Sequence, residues 1–268
     1  MAVAILRFRP REMPVFDLLP PDLSLSDRLA LSLFLIAWLG YGQLIHSRLA
    51  APNITSRMNR IRVSWMHAML GRDNRITDAS LLGNTMHSGT FFASTSMIAL
   101  AALLGLLGRL DVAYGVVESL SFTAKTSRHL VEFKILLLLV VFGHTFLKLT
   151  WALRQLNYCI ALIGGAPLKP GAGQRDVLAE RIAAVLSLAI SSFNAGIRGY
   201  YFALAGLAWF LGGGAFLLVT AGILAMLLWR QFASATSEAI RMSEQEFDQL
   251  PAQTHRNPPS TGNIAPVT

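Results

Sequence analysis

Long uncharged stretches alternate with short basic ones along this chain, and that alternation predicts its elements. The first apolar run, LALSLFLIAWLGYGQLI at 29–45, is bounded by Asp27 and Arg28 before and by His46 and Arg48 after. It just reaches the ~17 residues that can cross a bilayer as a helix. A second run covers 91–107 and is extended towards the N-terminus by the weakly polar GNTMHSGT. A third covers 135–146 and must continue through Lys148 to Trp151 to be long enough. The last, 200–229, carries no charge and exceeds one crossing, so it tilts, breaks at Gly212-Gly213-Gly214 or re-enters. Between the third and last runs, 182–197 is uncharged, but Ser187, Ser191, Ser192 and Asn194 leave it half polar. It reads as a helix packed along the cytoplasmic boundary rather than a fifth span. The pattern predicts an all-α integral membrane bundle of about four transmembrane helices plus interfacial amphipathic helices.

Composition agrees. Hydrophobic residues make up 53% and charged residues 14%, against roughly 25% charged in soluble domains. A soluble enzyme is excluded, and Cys159, the lone cysteine, excludes a disulfide-stapled fold. Residues 1–24 read as an N-terminal tail, 25–232 as the helical membrane domain and 233–268 as a polar, partly disordered C-terminal tail. The apolar start of MAVAILRFRPREMP is too short for a cleaved signal, so the first run is expected to be a retained anchor.

The net charge of +8 would suggest nucleic acid in a soluble protein, but the basic residues lie between the apolar runs. The first loop (Arg48, Arg57, Arg60, Arg62, Arg72, Arg75) and the third (Lys148, Arg154, Lys169, Arg175, Arg181) are richer than the second (Arg109, Lys125, Arg128, Lys134). Cytoplasmic loops collect Lys and Arg, which puts the first and third loops inside and the N-terminus outside, in a bacterial inner membrane. Membrane lipids, and another membrane protein or a second copy, are the expected partners, with no nucleic acid.

Within the first loop, TSRMNRIRVSWMHAML places Met58, Ile61, Trp65 and Met69 on one helical side and Arg57, Arg60, Ser64 and His67 on the other. That is the pattern of a helix lying in the interface, with Arg57, Arg60, Arg62 and Trp65 as lipid-interface candidates. Arg62 falls at the apolar edge beside Met66, so it must snorkel or meet a specific acceptor.

Polar residues also recur inside the runs. His144, Lys148, Trp151, Gln155 and Tyr158 are spaced 4, 3, 4 and 3 apart, one stripe at about 100° per residue. Thr77, Asn84, Ser88 and Thr95 share one side of the second run, and Asn194, Arg198 and Tyr201 share another near the last. Such stripes face protein or a wet cavity rather than lipid, and these three are expected to converge towards the cytoplasm. They read either as interhelical glue or as a basic anion pocket. The second reading rests on Lys148, Arg154 and Arg198, because no carboxylate occurs between Lys134 and Asp176. Asp73, Asp78, Asp176 and Glu180 are the available partners; otherwise an anion must balance the charge. The candidate binding residues are therefore Asn84, Ser88, Lys148, Trp151, Arg154, Gln155, Tyr158, Asn194, Arg198 and Tyr201.

His46, His87 and His144 would lie near span ends, where facing imidazoles can hold haem or a metal. His87 and His144 are weak candidates only, since no pair has tight ligand spacing, and no cofactor is expected. The chain has no phosphate loop, no His-Glu-x-x-His and no Gly-x-Ser-x-Gly. Cys159 reads as a buried structural thiol.

Three segments carry a resemblance: RIRVSWMHAMLGRDNRITDASLLGNTMHSGTFFAST, FLKLTWALRQLNYCIALIGGAP and FNAGIRGYYFALAGLAWFL. In that order they resemble a family of bacterial and plant membrane proteins catalogued as domain of unknown function five-nine-nine. The resemblance runs over about 29–232 and implies an α-helical membrane fold of about four spans, with no activity attached. Gly143-His144-Thr145 departs from the aromatic and small residues usual in that family before Phe146, so any role for His144 belongs to this chain alone. Two functions remain open: a structural or accessory membrane subunit, or a carrier, channel or binder for a small anion or anionic lipid. An enzyme ranks below both, since no paired acid and base can be located.

Overall fold

The computed structural model describes Pro20 and residues 22–46, 53–119 and 126–249. Arg48, Lys125, most of the N-terminal tail and the end of the C-terminal tail lie outside these, as does the side chain of His46. The described elements are all helical: α1 (Leu25–His46), α2 (Ile54–Leu70), α3 (Ile76–Leu107), α4 (Leu110–Ser119), α5 (Arg128–Gly165), α6 (Ala172–Ala208), α7 (Gly213–Phe232) and α8 (Ala235–Gln249), with a 3-10 turn, Trp209–Leu211, between α6 and α7.

Local chemistry sets the boundaries. Asn53 caps α2, accepting from the Ser56 amide at 3.0 Å, while the Ser56 hydroxyl accepts from the Asn53 amide at 3.1 Å. Ser127 caps α5 by accepting from the Leu130 amide. Pro167 and Pro170 keep α5 and α6 apart. Gly212 has φ 130°, a conformation closed to other residues, and there the long 200–229 run breaks. Its first nine residues finish α6, Trp209–Leu211 form the 3-10 turn, and 213–229 belong to α7.

α5 and α6 form an antiparallel hairpin that is paired along its length. Lys134 lies over the Trp209 ring, Gln155 accepts from Ser192, and the Cys159 thiol faces the Ile182 carbonyl. At Gly196 and Gly199 a side chain would collide with Leu149 and Thr145, so the close approach needs glycine. α3 runs antiparallel to α5, with Gly89 against Leu153 and Leu107 packed on the cluster that holds Val131 and Ile135. α1 runs antiparallel to α6, through Phe34–Phe202 and Tyr41–Arg198. It runs parallel to α7, through Phe34–Phe216 and Tyr41–Leu227.

These pairings bring 29–45, 91–107, 135–151 and α7 into one slab. Four helices are long and apolar enough to cross a membrane: Leu25–Ile45, Ile76–Leu107, Arg128–Gly165 and the stretch opened by α7, Gly213–Glu246. The expected membrane bundle is therefore present. Residues 182–197 are not a separate boundary helix; they are the middle of α6, whose last part, 193–208, runs beside 135–151 at the same depth. Its serines, Asn194 and Arg198 hide it from a hydropathy reading, and packing on α5 holds it there.

At about 1.5 Å per residue, α5 and α6, with 38 and 37 residues, are nearly twice as long as the ~30 Å apolar layer. Both extend beyond the slab at the end where α1 finishes, called here the basic end. A second core forms on that extension from Met66, Met69, Leu70, Leu82, Leu156, Cys159, Ile163, Ile182 and Leu186. The amphipathic helix expected in TSRMNRIRVSWMHAML is present as α2. It stands along α6, with Arg62 at Ser187 near its middle and Met66, Met69 and Leu70 buried in that core. The C-terminal tail is also not unstructured throughout. Residues 235–249 form α8, which docks on α2 through Glu244 to Arg57 and Arg60.

Candidate anion-binding cleft

Five elements meet at the basic edge of the slab: the end of α1, the start of α2, the middle of α6, the end of α7 and the start of α8. Between them lies a cleft of about 540 Å³ lined by Tyr41, Arg62, Ser187, Asn194, Arg198, Tyr201 and Arg230, among others. Its apolar walls come from Ile45, Ile54, Met58, Ile190, Ile197 and Leu227. Among the described residues the lining contains three arginines and no carboxylate.

Each cation is held in place. The Arg198 guanidinium stacks on the Tyr41 ring at 5.1 Å, and Tyr41 is fixed by donating its hydroxyl to the Leu227 carbonyl at 3.2 Å. Arg62 donates to Asn59 Oδ1 at 2.8 Å and to Ser187 Oγ at 3.4 Å, the acceptors its edge position required. Burial pulls the Arg62 guanidinium down from its ordinary value by removing water from the charged form. Arg230 donates to the Tyr201 hydroxyl at 3.2 Å. Such planar forks suit a carboxylate or phosphate, which accepts two parallel N–H bonds.

The three sequence stripes do not converge here. Asn194, Arg198 and Tyr201 line the cleft; Lys148, Trp151, Arg154, Gln155 and Tyr158 do not. On α5, Trp151, Arg154 and Tyr158 are exposed, Lys148 is half-buried and Gln155 is buried, accepting from Ser192 at 2.8 Å. At about 100° per residue the stripe is roughly 80° wide, and the limit of the covered face runs through it, so Gln155 on one edge is buried while Trp151 and Tyr158 on the other are exposed. Asn84 and Ser88 point outward on α3. There Ser88 and Thr95 of the stripe, like Thr85 and Thr90 beside it, donate to carbonyls four residues back, so these hydroxyls need no cavity.

The interface candidates on α2 are largely engaged by protein. Glu244 pairs with Arg60 and, at 3.7 Å, with Arg57. Trp65 Nε1 donates to the fully buried Asp78 at 2.7 Å, beside Arg72 at 2.6 Å. Asp78 is thus used by Arg72, and Asp176 faces His67 at 3.6 Å. Among the described residues no carboxylate comes within 4.0 Å of Lys148, Arg154 or Arg198.

His144 stands edge-on to Trp38 at 5.2 Å, and its Nδ1 has no hydrogen-bond partner. His87 is exposed on α3, level with residue 155 of α5 and about 16 Å along the axis from His144 at 1.5 Å per residue. The two are not brought together, and among the described residues no group of three or more His, Cys, Asp or Glu could hold a metal.

Sequence reasoning passed over Tyr41 and Arg230, which lie inside and at the end of apolar runs. The only signal for Arg230 was its place closing a run, like Arg198. Also missed was the opposite edge of the slab, where buried Asp27 accepts from Trp209 Nε1 at 2.6 Å and buried Lys134 lies over Trp209 and Phe210 at 5.5 and 5.6 Å.

A family described as "Protein of unknown function, DUF599" matches residues 29–236. That span holds every residue lining the cleft. No curated protein and no solved structure matches the chain.

Proposed function

We propose that this chain, which belongs to the DUF599 family of proteins of unknown function, is an integral membrane protein that binds an anionic group in the cleft at its basic end. The single observation that carries the reading is the imbalance of the lining, with Arg62, Arg198 and Arg230 and no carboxylate among the described residues. Arg62 and Arg198 are partly buried, and such cations without a carboxylate partner among the described residues call for an anion from outside the chain. The excess of Lys and Arg in the loops at that end supports placing it in the cytoplasm and the N-terminus outside, and α8 then lies inside too.

The test is calorimetric titration of purified full-length protein in detergent with inorganic phosphate. Wild type gives a saturable heat; Arg198→Met lowers the affinity about tenfold, as expected for the loss of one charge-assisted contact. No saturable heat in wild type overturns the reading for free anions.

An accessory or scaffold role is favoured by a separate observation: α3 is the least covered of the four candidate spans. A partner or second copy seated on α3 then protects it. Native mass spectrometry of gently extracted protein showing only single, partner-free chains counts against that role.

A further inference from the structure

The cleft lies across the boundary of the slab, and its depth says more about the ligand than its charge does. Along the α5–α6 hairpin Arg198 stands opposite residue 146, inside the edge at Trp151, by about 7 Å at 1.5 Å per residue. Ser187, which holds Arg62, stands opposite residue 157, about 9 Å outside that edge. Exposed Trp229 sits beside Arg230, where an indole marks the level of lipid headgroups. Ile197 and Leu227 wall the inner part, and α1, whose Tyr41 and Ile45 also line the cleft, exposes apolar side chains such as Leu39 and Leu44 on its other sides.

A free anion would be served equally well by a site wholly in water. A cleft with cations on both sides of the boundary and an apolar inner wall fits a molecule that has an anionic head and an apolar body. We infer that the occupant is an anionic phospholipid, its phosphate held by Arg198 and Arg230 beside Tyr41, the outer part of its head facing Arg62 and its acyl chains in the slab along α1. This rests on the anion-binding reading above and names the class of ligand.

The lining also selects among headgroups. Choline and ethanolamine heads add an ammonium that leaves the lipid neutral overall and that three arginines repel. The described lining offers no carboxylate to offset this, and the Tyr41 ring face is already taken by Arg198. The Tyr201 hydroxyl, which accepts from Arg230, keeps its own proton to donate to a phosphate or glycerol oxygen. A glycerol or bare phosphate head fits; a zwitterionic head does not. Basic pockets between spans bind anionic lipid heads for the same reason.

The experiment is native mass spectrometry of the delipidated full-length protein titrated with dioleoyl phosphatidylglycerol or dioleoyl phosphatidylcholine, with glycerol 3-phosphate as the head lacking chains. Wild type is expected to retain one phosphatidylglycerol under activation that strips phosphatidylcholine. Arg198→Met and the milder Arg230→Met each weaken that retention about tenfold, while Arg154→Met, outside the cleft, leaves it unchanged. Should Arg198→Met not fold, Arg230→Met at an exposed arginine carries the same comparison. Equal retention of the two lipids, or of phosphatidylglycerol by wild type and both cleft variants, overturns the inference. Glycerol 3-phosphate binding that depends on Arg198, with no gain from the chains, overturns the lipid while leaving the anion reading intact. No binding of any of the three removes both.

Discussion

The slab and the basic end are built from the same two long helices, yet they treat charge in opposite ways. In the slab the core is aromatic: Phe34, Phe202, Trp209 and Phe216 are fully buried, and Trp209 stacks on Phe216 at 4.8 Å. At the basic end the core is methionine, leucine and alanine, covered by ion pairs such as Arg72–Asp78 and Arg57–Glu244. There the arginines fasten helices together: Arg75 alone binds the carbonyls of Ile163, Ala166 and Pro167 that close α5. In the slab Lys148 and Arg198 have no such carboxylate. Cations near water are thus used as fasteners, whereas those at the slab's edge are held in position without being neutralised. That contrast marks the cleft as a site.

The largest expected effect tests whether the slab depends on close helix contact. A valine at Gly199 would overlap Thr145, itself fully buried and bonded to the Val141 carbonyl. α5 and α6 must separate, and overpacking of this kind destabilises by about 3 kcal/mol. Gly199→Val is expected to lower the melting temperature of the detergent-solubilised protein and to loosen both regions, since both sit on the same hairpin. An unchanged melting temperature would show that this contact does not hold the hairpin together.

How much of this was legible in the sequence follows from the same contrast. The runs at 29–45, 91–107 and 135–151 were readable because lipid imposes a simple rule on exposed faces, and the glycine triplet pointed to the break at Gly212. The last part of α6 was not readable as a helix at the depth of the slab. It is covered by neighbours, so Asn194 and Arg198 are tolerated, and hydropathy reports on faces that meet lipid. Arg198, Asn194 and Tyr201 were placed together correctly by helical spacing. Lys148 and Arg154 were not, because one helix's periodicity cannot say which neighbour covers which side. The docking of α8 on α2 turns on Glu244, a long-range ion pair that no local pattern encodes.

A medium effect separates the two regions. Asp78 takes two donors on one oxygen at the start of α3, and Asp78→Ala leaves the Trp65 indole N–H without its acceptor, a loss of about 2 kcal/mol. Hydrogen exchange is expected to rise across 65–82 while α1 and α7 keep their protection. Equal loss of protection in both would show that the two cores unfold as one cooperative unit.

The smallest effect concerns the strap over the cleft. α8 begins at the cleft wall, where Ser234, Ala235 and Thr236 line it, and is held down further along by buried Glu244 between Arg57 and Arg60. Because Arg60 is about half exposed, water and salt screen the pair, and Glu244→Gln is expected to destabilise by no more than about 1 kcal/mol. The change would scarcely move the melting temperature. It should instead speed proteolysis within α8 at low ionic strength, and the difference from wild type should shrink as salt rises, since salt screens an exposed pair. Cleavage rates that match wild type at every salt concentration would mean that the helix is seated by its apolar face alone. The rule that arginines act as fasteners at the basic end would then hold for Arg72 and Arg75 but not for Arg57 and Arg60.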